Sequence, residues 1–150
     1  MRYSHQKIVG LAASLVALDQ TAKYFTRVYP DATAYIWKPW LGLEYLRNTG
    51  IAFGLSLPQS IVIFLTPFII LALCLYAIKQ TDTRHQFALI LIVCGAVSNF
   101  IDRILWSATI DYIRVFTAVI NLADIYIALG IIALFYFYAC QNSLGRSTRA

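Results

Sequence analysis

The sequence predicts an all-α membrane protein: four transmembrane helices with a small β-rich extracytoplasmic surface subdomain, in a single integral-membrane domain over residues 1–150. Three observations predict it. Of the 150 residues, 60% are hydrophobic and 13% charged, against about half and about a quarter in soluble domains, and the mean hydropathy is +0.68. Four apolar segments are long enough to cross a hydrocarbon core, which takes about 20 helical residues. Two intervening segments are rich in aromatic and β-branched residues punctuated by Gly and Pro, a pattern of short strands.

The first span is Ile8 to Phe25. Arg2 and Lys7 precede it, as in a signal peptide, but the apolar run continues past Asp19 and is too long for a secretory h-region, so it reads as a retained helix. The second span runs from about Ser60 to Ile78, the third from about Phe87 to Trp106 and the fourth from about Leu122 to Ala139. Runs such as "IVIFLTPFIILALCLYAI" have no polar face, as expected of a helix surrounded by lipid and other apolar helices. Cys74, Cys94 and Cys140 lie singly in apolar runs and match no metal spacing. No metal or cofactor is expected.

Between the first two spans, "AYIWKPWLGLEYLRNTGIAFG" reads as short strands lying on the membrane surface. Trp37, Trp40 and Tyr45 suit the headgroup level. The segment from Ser107 to Ile120 leans the same way with "TIDYIRVFTAVI". The net charge of +5 does not point to nucleic acid, because the cations are scattered singly beside apolar segments. They act as topology signals. With both termini in the cytoplasm, the short inner segments carry Arg2, Lys7, Lys79, Arg84, Arg146 and Arg149. The longer outer loops carry Arg27, Lys38, Arg47, Arg103 and Arg114 at lower density.

This threading gathers polar residues at one leaflet. Asp19 and Lys23 lie near the outer end of the first helix, Asn48 and Gly50 before the second, and Asn99, Asp102 and Arg103 at the outer end of the third. Asn121 and Asp124 open the fourth, with Asp111 in the loop before it. Of the seven acidic residues, only Asp82 falls inside. Several have plain structural explanations. Asp19 and Lys23 have the spacing of a helical ion pair. Arg103 can balance Asp102 at a helix C-terminus. Asn121 and Asp124 have the spacing of a capping box. Asp111 has no such explanation, and an ionisable group at membrane depth points to function. His5 and His85 fall on the other side, and Ser98 has no visible base. The remaining chemistry is hydrolysis by an Asp pair sharing a proton. Residue chemistry alone leaves Asp102 and Asp111 open as the partner of Asp124. A small proton-coupled transporter or accessory subunit is the alternative, but it predicts carboxylates spread through membrane depth.

The motifs "LDQTAKYF", "RNTGIAFGL", "GAVSNFIDR", "IDYI" and "NLAD" occur in the order and spacing of bacterial lipoprotein signal peptidases (signal peptidase II), and the chain resembles that family over essentially its whole length. The resemblance implies a four-helix inner-membrane aspartic peptidase that removes the signal peptide of a prolipoprotein before a diacylglyceryl-cysteine. It implies Asp111 and Asp124 as the catalytic pair. Asn48, Gly50, Asn99, Arg103 and Asn121 are implied in substrate binding, and Asp19, Lys23 and Asp102 in support. The implied partners are lipid-modified prolipoproteins, membrane lipids and cyclic-peptide inhibitors of the globomycin type, at a site facing the periplasm or cell exterior. The chain departs from the family pattern at Ser98, where Gly is usual, and at Ile120, where Phe is usual. The segment between Asp111 and Asp124 is short and lacks a common Pro.

Overall fold

A computed structural model describes residues 5–50 and 58–147, with side chains described over 6–50 and 58–140. The expected cytoplasmic cations Arg2 and Arg149 and residues 51–55 of the second motif lie outside the described residues, as does the Arg146 side chain. The order is α1 (His5–Val28), β1 (Ala34–Trp37), β2 (Leu41–Asn48), α2 (Gln59–Lys79), α3 (Thr83–Trp106), β3 (Thr109–Val115), β4 (Ala118–Ile120) and α4 (Leu122–Ser147). Among the described residues, α2, α3 and the Leu122–Cys140 part of α4 are apolar and long enough to cross a membrane. The 24-residue α1 is as long as α3 but carries Asp19, Lys23 and Arg27.

The apolar segments are the cores of longer helices. α3 begins four residues before the expected Phe87 because Asp82 caps it, accepting the Arg84 N–H at 2.9 Å. That bond also holds the Asp82 carboxyl below its usual range. α3 ends at Ser107, whose left-handed backbone (φ 51°) turns its N–H onto the Arg103 carbonyl.

Both β-leaning segments are strands. They form one antiparallel four-stranded sheet in the order β1-β2-β3-β4. β2 and β3 are 70 residues apart in places yet pair directly, Leu46 facing Asp111 and Asn48 facing Thr109. Glu44 ties three strands together. It accepts from Tyr35 on β1 and from Arg114 on β3, the Arg114 Nε at 2.6 Å. The guanidinium fork lowers the Glu44 carboxyl. The short segment before α4 is a hairpin with Phe116 and Thr117 at its tip. Phe116 adopts φ 54°, donates its N–H to the Trp40 carbonyl at 2.7 Å and packs its ring 6.4 Å from that of Trp40.

α3 and α4 meet through small residues. A Cβ at Gly95 would overlap the Ala123 carbonyl oxygen, and one at Gly130 would come within 2.6 Å of the Ala88 carbonyl. Backbones approach this closely only where a side chain is missing. Gly95→Ala should lower stability by about 1–3 kcal/mol through overpacking. Thermal unfolding in detergent checks it.

Candidate active site

The polar residues converge where α1, α3 and α4 meet the sheet. Asp19, Gln20 and Lys23 come from α1; Ser98, Asn99, Asp102 and Arg103 from α3. Three- and four-residue spacings put Asp19 with Lys23, and Ser98 and Asn99 with Asp102, on single helix faces. β3 supplies Asp111 and Tyr112, and α4 opens with Asp124 after Asn121. Asp19, Ser98, Asp102, Asp111 and Asn121 are all at most 1% exposed. Buried polar groups at this density require mutual hydrogen bonds.

Lys23 is the centre of the network. Its ammonium lies 2.8 Å from Asp19 Oδ2 and 2.9 Å from Asp102 Oδ2, and donates to Asn99 Oδ1 at 2.8 Å. Asp19 also accepts from Ser98 Oγ at 2.6 Å and from the Tyr112 hydroxyl at 3.0 Å. Asp102 also accepts from Gln20 at 2.9 Å and from the Ile110 backbone N–H at 3.1 Å.

Asn121 and Asp124 form a reciprocal cap on α4. The Asp124 N–H donates to Asn121 Oδ1 at 2.9 Å, and the Asn121 N–H donates to Asp124 Oδ2 at 3.2 Å. Asp124 Oδ1 accepts from Asn99 Nδ2 at 2.9 Å. Capping and membership of the polar cluster are thus one arrangement. Asn121 Nδ2 reaches across to Asp111 Oδ1 at 2.6 Å and to Asn99 Oδ1 at 3.1 Å. The other oxygen of Asp111 accepts from Asn48 Nδ2 at 2.8 Å.

Asp111 differs from Asp19 and Asp102. Among the described residues no cation lies within ion-pair distance of it; both oxygens rest on neutral amides. Burial pushes its carboxyl up to about 6, the two amides and Lys23 opposing the rise and Asp124 adding to it. Burial also raises the Tyr112 hydroxyl, which therefore stays protonated. It donates to Asp19 and accepts the Leu122 N–H at 3.2 Å.

The structure corrects the expected pairing of Arg103 with Asp102. The cation on Asp102 is Lys23. Neighbouring helical residues do not face each other, and Arg103 turns away, donating to the Gly50 carbonyl at 3.0 Å and to Gln59 Oε1 at 3.4 Å. The guanidinium remains close enough to feel the charges of Asp111, Asp124 and Asp102. Asn48 is the last residue of β2. Its Oδ1 accepts the Gly50 N–H at 2.9 Å, so Gly50 is held from both sides at the rim of the site. Because Lys23 still neutralises Asp102, Arg103→Ala should cost stability little, within about 1–2 kcal/mol for hydrogen bonds lost. Cleavage should fall far more. Melting temperature and initial rate, compared on one preparation, separate the two.

Three participants stood inside the quoted motifs without an assigned part: Gln20, Ser98 and Tyr112. Gln20 donates to the Ser98 carbonyl and hydroxyl, each at 3.0 Å, as well as to Asp102. A glutamine in an apolar helix one residue after Asp19 was the available signal. For Tyr112 it was a hydroxyl flanking a buried carboxylate. Ser98 was visible only as a departure from the family pattern.

The whole arrangement has relatives. The family model described as signal peptidase (SPase) II matches residues 11–140. The lipoprotein signal peptidase of Bartonella henselae is 40% identical over 139 residues, covering 85% of this chain and 84% of that protein. That of Chlorobium phaeobacteroides is 34% identical over 146 residues, covering 85% and 92%. A solved bacterial membrane enzyme superposes with a TM-score of 0.86 at 26% identity, covering 95% of this chain and 93% of its own. A match over most of the length, on a chain whose buried carboxylates meet at one end of an apolar helix bundle, carries one conclusion: the chain belongs to the signal peptidase II family, bacterial membrane peptidases that remove signal peptides from prolipoproteins.

Proposed function

We propose that cleavage is an aspartic hydrolysis carried by Asp111 and Asp124, which share a proton and hold the attacking water. The observation that carries this reading is the contrast among the buried carboxylates. Asp19 and Asp102 share Lys23, whereas Asp111 is held by the amides of Asn48 and Asn121. A carboxyl raised to about 6 holds its proton well above the usual carboxylate range, which suits it to proton transfer. In the forward step the ionised carboxylate takes a proton from water as its oxygen attacks the scissile carbonyl carbon. The protonated partner gives its proton to the carbonyl oxygen. Collapse of the tetrahedral intermediate breaks the C–N bond: the leaving nitrogen takes the proton drawn from water, and a hydroxyl of the intermediate returns its proton to the partner carboxylate. Arg103, Asn48 and Gly50 stand at the rim, where an extended substrate backbone or a globomycin-type cyclic peptide would lie.

In this reading α1 also crosses the bilayer, which makes four spans of one integral-membrane unit. Asp19 and Lys23, near its outer end, are paired with each other, the condition for ionisable groups at membrane depth. A cavity of about 960 Å³ runs along α1, α2 and α3 from Ile8 and Gln86 at the far end to Gln20 and Val97 beside the polar cluster. It suits the apolar signal sequence, which must extend from the scissile bond toward the opposite leaflet. The exposed Ile36, Trp37 and Phe116 of the sheet suit the headgroup layer.

The direct test is incubation of the purified protein with diacylglyceryl-modified and unmodified prolipoprotein. Cleavage of the modified form alone, before the lipidated cysteine, is expected; equal cleavage of both would remove the substrate assignment. For topology, both termini are placed in the cytoplasm and the sheet outside. In a cysteine-free background, Thr33→Cys should react with an impermeant thiol reagent in intact cells and Thr81→Cys should not. The opposite labelling would place the site on the wrong face for a secreted substrate.

A further inference from the structure

An amide side chain can face either way, and two amides sit between the carboxylates. Lys23 fixes the direction of Asn99, and Asn99 in turn supports that of Asn121, whose oxygen also accepts the Asp124 N–H. The three N–H donors of Lys23 have three acceptors: Asp19, Asp102 and Asn99 Oδ1. The Asn99 carbonyl therefore points at the ammonium, and its NH2 points at Asp124 Oδ1, 2.9 Å away. Turned over, Asn99 would set its NH2 against the ammonium and its carbonyl against a carboxylate. The same Asn99 oxygen also accepts from Asn121 Nδ2 at 3.1 Å. That holds the Asn121 NH2 toward Asn99 and Asp111, while Asn121 Oδ1 receives the Asp124 N–H.

We propose that Lys23 is a positioning residue for the reaction: through Asn99 and then Asn121, its ammonium keeps an N–H donor aimed at each of Asp124 and Asp111. The inference rests on those two carboxylates being the catalytic pair. Lys23 touches neither of them; beyond its field at Asp111, it acts through Asn99. Asp19 and Asp102 hold the ammonium in place from α1 and α3, and Ser98 and Tyr112 hold Asp19.

The test removes the cation together with both charges it balances. Asp19→Asn/Asp102→Asn is the reference, and the same pair with Lys23→Met or with Lys23→Gln is compared with it. The Met variant should lose about tenfold or more in kcat with KM nearly unchanged, as for an interaction used in the transition state. The Gln variant should recover part of that loss, because its amide can still donate to Asn99. Adding Asn99→Leu should abolish the difference between Lys23 and Met, since the effects of residues acting in series do not add. Independent, multiplicative effects would overturn the proposal, as would a Met variant with the reference kcat. If the Met variant does not fold, Asn99→Asp decides. It can still accept from Lys23 but cannot donate to Asp124, so kcat should fall as far as in Asn99→Leu; an unchanged kcat would refute the relay. Cleavage by Asp111→Asn or Asp124→Asn would instead remove the catalytic reading on which the relay depends.

Discussion

Substituting Asn for Asp111 or for Asp124 is expected to abolish cleavage while the protein still folds and inserts. Asn matches Asp in size. Its NH2 replaces one of two accepting oxygens, which costs about 1–3 kcal/mol for the donor left unpaired, and it can neither take a proton from water nor give one as an acid. Loss of acid–base catalysis alone is worth about 10²–10⁴ in rate. The double variant should be scarcely worse than either single one, because the two groups act as a unit. Substantial cleavage by Asp111→Asn, with none by a well-folded Asp102→Asn, would move the pair to Asp102 and Asp124. The Asp111 variant also carries a pH signature. Folding raises this carboxyl from its usual range to about 6. The neutral form therefore favours the folded state. That advantage is complete below about pH 4 and is lost as pH climbs through about 6. The amide that replaces the carboxyl does not titrate. The stability of Asp111→Asn relative to the wild type should thus rise between pH 4 and pH 8, by up to about 2–3 kcal/mol. Melting curves at the two pH values, read as a difference, check it, and a difference that does not change with pH would show the carboxyl to be unperturbed.

The second large effect is expected at Lys23. Lys23→Ala leaves Asp19 and Asp102 buried together without the ammonium they share. Removing one partner of a buried ion pair costs about 3–5 kcal/mol, a large fraction of a typical domain's stability. Low yield and a much lower melting temperature should follow. Adding Asp19→Asn and Asp102→Asn together should restore folding, because the destabilisation is one of uncompensated charge rather than lost volume. A Lys23→Ala protein as stable as the wild type would mean that the two carboxylates are not both ionised in the fold.

The helices were legible because an apolar run of about 20 residues has few other uses. Their ends were less so. α3 starts at Thr83 because a cap, not hydropathy, sets its first turn. The strands were legible from "AYIW" and "TIDYIRV", but their pairing was not. Nothing local states that Leu46 lies beside Asp111. The Asn121–Asp124 cap could be read from a three-residue spacing, and the Asp19–Lys23 pair from a four-residue one. The second partner of Lys23 could not. Asp102 lies on another helix, and the adjacent Arg103 offered a nearer cation that helix geometry points elsewhere. Gln20 and Tyr112 were hidden for the same reason. Tyr112 reaches Asp19 across 93 residues of sequence, and a contact of that kind exists only once the chain has folded.

That reach has a consequence for the life of the protein during synthesis. The first helix emerges carrying Asp19 and Lys23, and the residues that complete their network arrive much later, the last of them at the start of α4. A chain still being inserted holds at most fragments of the network, and no fragment contains both members of the Asp pair with their amides. If Asp111 and Asp124 carry the cleavage, proteolytic power should be acquired in one step, when the final helix docks against α3. A protein truncated before Asp124 should be inert rather than partly active, and the two halves of the chain, made separately, should regain activity only if α4 can still find Gly95.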